Sequence, residues 1–160
     1  RQSSLYVDAR LTTMSPDGLV TVGPLALDAM RDAGWTPNSV GGLTLGADPV
    51  SYAIAYASAL AGAPIRSFIV RKEPKTHGTA KLIEGPFEPG DRVVVMEDVI
   101  TTGGSALRAI DAVLRARGTI VGVLAVVDRE EGGREALNDA GHAVVALARA
   151  SEIVAQTQDK

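Results

Sequence analysis

Apolar positions along this chain follow two rhythms, short uninterrupted runs and stripes at helical spacing, and their alternation sets the expected fold. Residues 40–45, 65–70, 93–96, 121–127 and 143–147 are near-continuous apolar runs of strand length, as expected of strands covered on both faces. Before the first of them, Leu19, Val22, Leu27 and Met30 recur at helical spacing behind Ser15-Pro16, a capping residue followed by proline at the first helical position. That helix is predicted to end near Gly34, with a kink at Pro24. Further helices are expected over residues 50–60, capped by Asp48, and over residues 106–117, with Leu107, Ile110 and Leu114 on one face and Gly118 as the stop. A last one is expected over residues 134–140. Residues 35–39 and 86–91 read as a loop and a turn, and residues 156–160 as a frayed polar tail. Strands alternating with helices predict an α/β fold, a central mostly parallel sheet flanked by helices on both faces. In such sheets ligands gather beyond the carboxyl ends of the strands.

One strand-to-helix passage carries most of the chemistry. Val93 to Met96 is followed by Glu97 and Asp98, then Val99 and Ile100, then the small-residue turn Thr101-Thr102-Gly103-Gly104-Ser105. Successive backbone N–H groups at a helix start, together with the positive end of its dipole, bind a phosphate, and Gly103 and Gly104 let the backbone approach it closely. Thr101, Thr102 and Ser105 add hydroxyl donors. No lysine precedes the serine, so nothing points to a nucleoside triphosphate cradled here, and Glu97 and Asp98 suit sugar hydroxyls instead. A second segment, residues 68–85, opens from a short apolar strand into a basic, glycine-punctuated stretch with Arg71, Lys72, Lys75, His77 and Lys81. Because the chain as a whole carries a net charge of −3, these cations read as a local anion site, and a nucleic-acid or membrane surface is disfavoured.

The run from Glu97 to Ser105 closely resembles the phosphoribosyl-pyrophosphate signature of the type I phosphoribosyltransferases. Within that class, Arg71-Lys72-Glu73-Pro74-Lys75-Thr76-His77-Gly78 resembles the start of the catalytic loop of orotate phosphoribosyltransferases. Asp128-Arg129-Glu130-Glu131 is similar to that family's Asp-Arg-x-Glu segment, and Leu5-Tyr6-Val7-Asp8 to the aromatic-rich stretch beside the pyrimidine ring. The resemblance implies a type I phosphoribosyltransferase fold, Rossmann-like with a small hood region, over residues 1–160 as a single domain that lacks an N-terminal segment of the family. It implies Mg²⁺-dependent transfer of ribose 5-phosphate from phosphoribosyl pyrophosphate to N1 of orotate, giving orotidine 5′-monophosphate and pyrophosphate in pyrimidine biosynthesis.

Residue by residue, the donor would be held by Arg71, Lys72, Lys75, His77, Glu97, Asp98, Val99, Ile100, Thr101, Thr102, Gly103, Gly104 and Ser105. Lys72, Lys75, His77 and Asp98 would carry catalysis, and Thr101, Arg129 and Tyr6 would contact orotate. Glu97 and Asp98 would hold Mg²⁺ indirectly, through water or the ribose hydroxyls. Leu45-Gly46-Ala47-Asp48 matches the family's pyrophosphate loop, where unusual backbone geometry is common, while an Asp-Pro helix start accounts for Asp48 equally well. Tyr6 stands open between a core position and a ring against the base, Arg129 has Glu130 and Glu131 as competing partners, and His142 reads as structural. The family also implies a homodimer with the catalytic loop shared across the interface. Two alternatives remain: a purine-using phosphoribosyltransferase, and a non-catalytic regulator that senses phosphoribosyl pyrophosphate.

Composition narrows the setting without naming the substrate. Zero cysteines exclude a disulfide framework and thiol catalysis, which suits a cytoplasmic enzyme. No apolar run reaches the roughly 18 residues of a membrane span.

Overall fold

The structure, a computed structural model, describes residues 7–74 and 81–158. A short α1 (Arg10–Thr13) leads into α2 (Pro16–Asp32), β1 (Ser39–Leu43), α3 (Ala47–Leu60), β2 (Arg66–Val70) and β3 (Ile83–Glu84). Then come β4 (Arg92–Ile100), α4 (Gly104–Arg115), β5 (Thr119–Asp128), α5 (Gly133–Asp139), β6 (Val144–Arg149) and α6 (Ala150–Gln158). The strands form one six-stranded sheet in the order β3-β2-β1-β4-β5-β6. Every neighbouring pair is parallel except β2 with β3, which is antiparallel.

The apolar runs become strands because both faces of the sheet are covered. Along β4, Val93 and Val95 pack with Ile110 and Val113 of α4 and Leu137 of α5, whereas Val94 and Met96 pack with Val22 and Met30 of α2 and Ile54 of α3. All four of these β4 side chains are fully buried. Each contributes about 1.5–3 kcal/mol relative to an exposed position, so this strand anchors the sheet. At the head of α2 the Ser15 hydroxyl accepts the Gly18 N–H at 3.0 Å, with Pro16 following as predicted. Pro24 lies inside an unbroken α2.

Four expectations need correction. Asp48 is not the cap of α3: the helix begins at Ala47 behind Gly46, and Asp48, in its first turn, accepts the Thr44 hydroxyl at 2.6 Å. Strand β4 runs on past Met96 through the acidic pair to Ile100, because β5 stays paired with it there, Glu97 opposite Ala125 and Ile100 opposite Asp128. The C-terminal stretch is helix α6 through Gln158 rather than a frayed tail. Its start is held by Glu152, which accepts the Arg149 N–H at 2.8 Å, and by Glu130, which accepts the Ser151 N–H at 2.9 Å. Finally, α4 turns Ala106, Ala109, Ile110 and Val113 to the core and leaves Leu107 and Leu114 exposed, because the small residues Ala106 and Ala109 let the helix lie close to the sheet; α1 and β3, of four and two residues, were not foreseen, being too short to show a period.

Chain direction across the sheet reverses between β1 and β4. From β1 the chain builds outward to β2 and β3, and from β4 it builds the other way to β5 and β6. The crevice at such a switch point, beyond the carboxyl ends of β1 and β4, is where this class of fold binds ligands.

Candidate active site

A cavity of about 320 Å³ opens at that switch point. Its walls bring together Glu97, Asp98 and Val99 from the end of β4, Thr101 and Ser105 from the turn after it, Lys72 from the end of β2 and Arg129 from the end of β5. The turn after β1 supplies Thr44, Leu45 and Gly46, and the N-terminal stretch supplies Val7, Asp8 and Arg10. A smaller hollow of about 50 Å³ adjoins it, lined by Ile100, Thr102, Gly103 and Gly104 and sharing Glu97, Val99, Thr101 and Ser105 with the first. A larger cavity, about 630 Å³, lies elsewhere, between the β3 region and the C-terminal half of α4. Its described lining, Leu82, Ile83, Phe87 and Ala112 among others, lacks the carboxylates and hydroxyls gathered at the switch point, so the chemistry belongs to the smaller space.

The acidic pair is built with opposite surroundings. Glu97 is 7% exposed, and its Oε1 has no hydrogen-bond partner among the described residues. Burial pushes its carboxyl up to about 8, and the neighbouring negative charge of Asp98 adds to the rise. Asp98 turns its Oδ1 onto the Val99 N–H at 2.9 Å and stays partly open to the cavity. Gly46 is required by that arrangement, since a β-carbon there would land on the Asp98 carboxylate. The peptide bond Thr44-Leu45 just before it is cis, the unusual backbone geometry expected of this turn. Burial raises the Asp48 carboxyl, and the Thr44 hydroxyl bond partly offsets the rise.

The turn from Thr101 to Ser105 has the anatomy of an anion cradle. Gly103 sits at φ +82° as the residue before α4, a conformation that glycine adopts freely. Among the described residues no side chain caps this helix, which leaves the first-turn N–H groups directed at the small hollow. From behind, Gly133 of α5 presses on the turn. A β-carbon at Gly133 would come within 2.5 Å of the Thr101 carbonyl oxygen and 2.8 Å of the Gly103 nitrogen, so only glycine lets the two elements meet.

The basic residues divide. Lys72 lines the cavity, but Arg71 lines neither space: its Nε donates to the Glu73 carbonyl at 3.3 Å, and its guanidinium lies 3.8 Å from the Glu84 carboxylate. Arg129 reaches the cavity while its guanidinium also donates to Glu131 at 2.7 Å, so the competing partner foreseen for it is engaged. Lys75, His77 and Tyr6 lie outside the described residues. Sequence reasoning named Asp8 in its motif but missed Arg10, which pairs with it at 2.9 Å on the cavity wall, and the pair of Asp128 with Arg134, also at 2.9 Å. Asp128 is buried and accepts the Glu130 N–H at 2.8 Å, which shapes the turn that presents Arg129. The sequence marked Asp128 as the start of the Asp-Arg-x-Glu segment but gave no sign of its pairing with Arg134.

As a metal site the arrangement offers two adjacent carboxylates and an orphaned buried oxygen. Among the described residues no cluster of three or more His, Cys, Asp or Glu is placed around one ion. Two carboxylates fit a hard cation such as Mg²⁺ that keeps waters and arrives with phosphate oxygens.

Comparison with known proteins gives a consistent result. The chain is 46% identical over 152 residues to an orotate phosphoribosyltransferase of Aquifex aeolicus, covering 95% of this chain and 82% of that protein. It is 47% identical over 141 residues to an orotate phosphoribosyltransferase of Mycobacterium leprae, covering 88% and 76%. Among solved structures, the Mycobacterium tuberculosis orotate phosphoribosyltransferase in complex with 5-phospho-α-D-ribosyl 1-diphosphate superposes with a TM-score of 0.81 at 42% identity, covering 92% of this chain and 82% of that one. No protein-family model matches the chain.

Proposed function

The chain belongs to the orotate phosphoribosyltransferase family, and from that premise we propose that its switch-point cavity transfers ribose 5-phosphate from phosphoribosyl pyrophosphate to N1 of orotate. The observation that carries this reading is the convergence of an uncapped helix start, an acidic pair, Lys72 and Arg129 on one space of about 320 Å³. In the reaction the bond from C1 of ribose to the pyrophosphate oxygen breaks, and the N1–C1 bond forms on the opposite face with release of the N1 proton. Negative charge grows on the leaving pyrophosphate while C1 takes on oxocarbenium character, so the protein's task is positioning and charge neutralisation.

The 5′-phosphate sits at the N-terminus of α4, on the N–H groups behind Gly103 and the hydroxyls of Thr101, Thr102 and Ser105. Glu97 and Asp98 hold the ribose hydroxyls. Mg²⁺, held indirectly by the same pair, would neutralise charge on the pyrophosphate when bound. Lys72 faces the pyrophosphate, joined by Lys75 and His77 as the family motif implies, and together they exclude water that would otherwise hydrolyse the donor. Arg129 takes the orotate carboxylate, exchanging Glu131 for the substrate's charge, with Thr101 and Tyr6 beside the base. Arg71 acts at the root of the loop.

A homodimer is part of the proposal. Tyr52, Tyr56 and Leu60 recur every fourth residue on α3 and are more than half exposed, as is Leu45 in the turn ahead of that helix. A stripe of this kind beside the cavity suits a second copy of the chain, and it gives Lys75 and His77 a neighbouring site to serve. The compartment that fits this chemistry of small soluble metabolites is the cytoplasm, and no described helix is long and apolar enough to cross a membrane.

The test is to mix the protein with Mg²⁺, phosphoribosyl pyrophosphate and orotate and follow the orotate ultraviolet band, with uracil, adenine and hypoxanthine in parallel. Loss of the band with orotate alone, abolished by chelator, is expected. Turnover of a purine, or none with any base, would overturn the reading.

A further inference from the structure

We propose that Arg108, outside the phosphate turn and the basic motif, is a positioning residue that fixes the root of the catalytic loop to the helix holding the 5′-phosphate. The inference rests on the reading of Lys72 as a pyrophosphate contact. Arg108 lies one turn into α4, and its Nη2 donates to the backbone carbonyl of Lys72 at 2.8 Å, across 36 residues of sequence. Among the described residues no carboxylate pairs with Arg108, and its side chain is exposed, so it neither fills the core nor balances a buried charge. What it does is hold one carbonyl.

That carbonyl has a particular place. Arg71, just before it, donates its N–H to the Leu82 carbonyl at 2.8 Å, continuing the antiparallel pairing of β2 with β3 and closing the base of the excursion from residue 72 to residue 81. Lys72 is therefore the first residue beyond the sheet, and its side chain already lines the cavity. With its carbonyl clamped, the direction in which the chain leaves the sheet is set. The clamp and the phosphate turn share one helix, separated by Gly104 to Arg108, about 6 Å of helical rise. A donor anchored at the N-terminus of α4 thus meets Lys72 at a distance fixed by rigid helix.

A guanidinium suits this job because it offers five donors in a planar fork, one of which can hold a carbonyl while the others face water. A lysine at the same position could make the single bond less directionally, and a methionine could not make it at all.

The experiment compares wild type, R108K, R108M, K72A and the K72A/R108M double variant in steady-state assays with both substrates varied, alongside Tm. R108M is expected to lower kcat about tenfold or more with each KM within about twofold, since small misplacements of a reacting group carry penalties of that size. Its Tm stays within about 2 °C of wild type, as for other exposed substitutions. R108K recovers most of the loss, and in the K72A background R108M costs less than about twofold, because both changes act through one group. Unchanged kcat in R108M overturns the inference, as does full additivity with K72A. A rise of more than about tenfold in the KM for phosphoribosyl pyrophosphate with kcat intact also overturns it, by making Arg108 a direct donor contact. In all three cases wild type still turns over orotate and the functional reading stands; a wild type inactive on orotate overturns both.

Discussion

Glu97→Gln should make the protein more stable at alkaline pH and leave it unchanged in acid. Glu97 is buried without a partner for Oε1 and faces the charge of Asp98, so its carboxyl is raised from 4.5 to about 8 in the folded chain. Below pH 4.5 it is protonated in both folded and unfolded states and contributes no pH dependence. Between 4.5 and about 8 the folded chain retains a proton that the unfolded chain releases, so stability falls as pH rises through this window and levels off above it. The interval corresponds to roughly 5 kcal/mol at about 1.4 kcal/mol per tenfold change in proton activity, and this is a ceiling. The adjoining cavity of about 320 Å³ admits water beside the carboxylate, which should reduce the realised loss to about 2–3 kcal/mol. For a chain of this size that equals about 5–10 °C in Tm. Thermal denaturation of wild type and E97Q at pH 5, 6, 7, 8 and 9, at fixed ionic strength with chelator present, isolates this one group because every other titration cancels in the difference. The gap, E97Q minus wild type, is expected to grow from near zero at pH 5 to its full value at pH 9. Parallel Tm curves for the two proteins would refute the reasoning, and so would a gap that opens toward acid.

Other consequences are equally direct. Gly133→Ala places a methyl within 2.5 Å of the Thr101 carbonyl oxygen. Since backbone cannot rotate away, the phosphate turn shifts: the KM for phosphoribosyl pyrophosphate should rise about tenfold or more and stability fall by about 1–3 kcal/mol, read by kinetics and denaturant melts. Arg129→Ala should raise the KM for orotate about thirtyfold or more and leave that for the donor within about twofold, the selective loss of one charge-assisted contact. Equal effects on both substrates would move Arg129 out of the base subsite. Tyr56→Asp, at a position 69% exposed on α3, should shift the protein to monomer in light scattering and lower activity with it, and an unaltered mass would remove α3 from the interface.

Much of this architecture was legible in the chain because two-sided burial leaves a blunt signature. A strand such as Val93 to Met96, with successive side chains entering opposite cores, has no polar face to confuse with anything else. Helix α2 was equally plain, whereas the stripe read for α4 was the wrong one: Leu107 and Leu114 are exposed, and the small residues Ala106 and Ala109 enter the core with Ile110 and Val113. What failed to show were elements whose existence depends on a partner. Two-residue β3 exists only because β2 offers it an edge, and the extension of β4 through Glu97 and Asp98 comes from continued pairing with β5. Neither fact is local. Asp48 was misplaced for a related reason: its side chain is recruited by Thr44 from the turn ahead of it, and the helix starts at Ala47, three residues before the expected start at Val50.

The site divides along the same line. Residues whose chemistry is carried by a contiguous run, Glu97 to Ser105, could be read directly, because a phosphate is held by successive backbone N–H groups and the run must be unbroken to supply them. Residues that work by holding another in place carry no such run. Arg108 clamps a carbonyl 36 positions away, Gly133 makes room for the turn at Thr101 and Gly103, and Asp128 shapes the approach to Arg129 through Arg134 and the Glu130 N–H. Arg108 and Gly133 are ordinary residue types at ordinary places until the fold supplies their neighbours, and Asp128, though part of a motif, shows nothing of its hold on Arg134 in the sequence. Glu97 carries the consequence for function: its type and its place beside Asp98 were apparent, yet its unpartnered, near-neutral-pH carboxyl comes from β4 being closed on both faces. The same two-sided burial that made the strand easy to recognise is what gives the acidic pair its unequal chemistry.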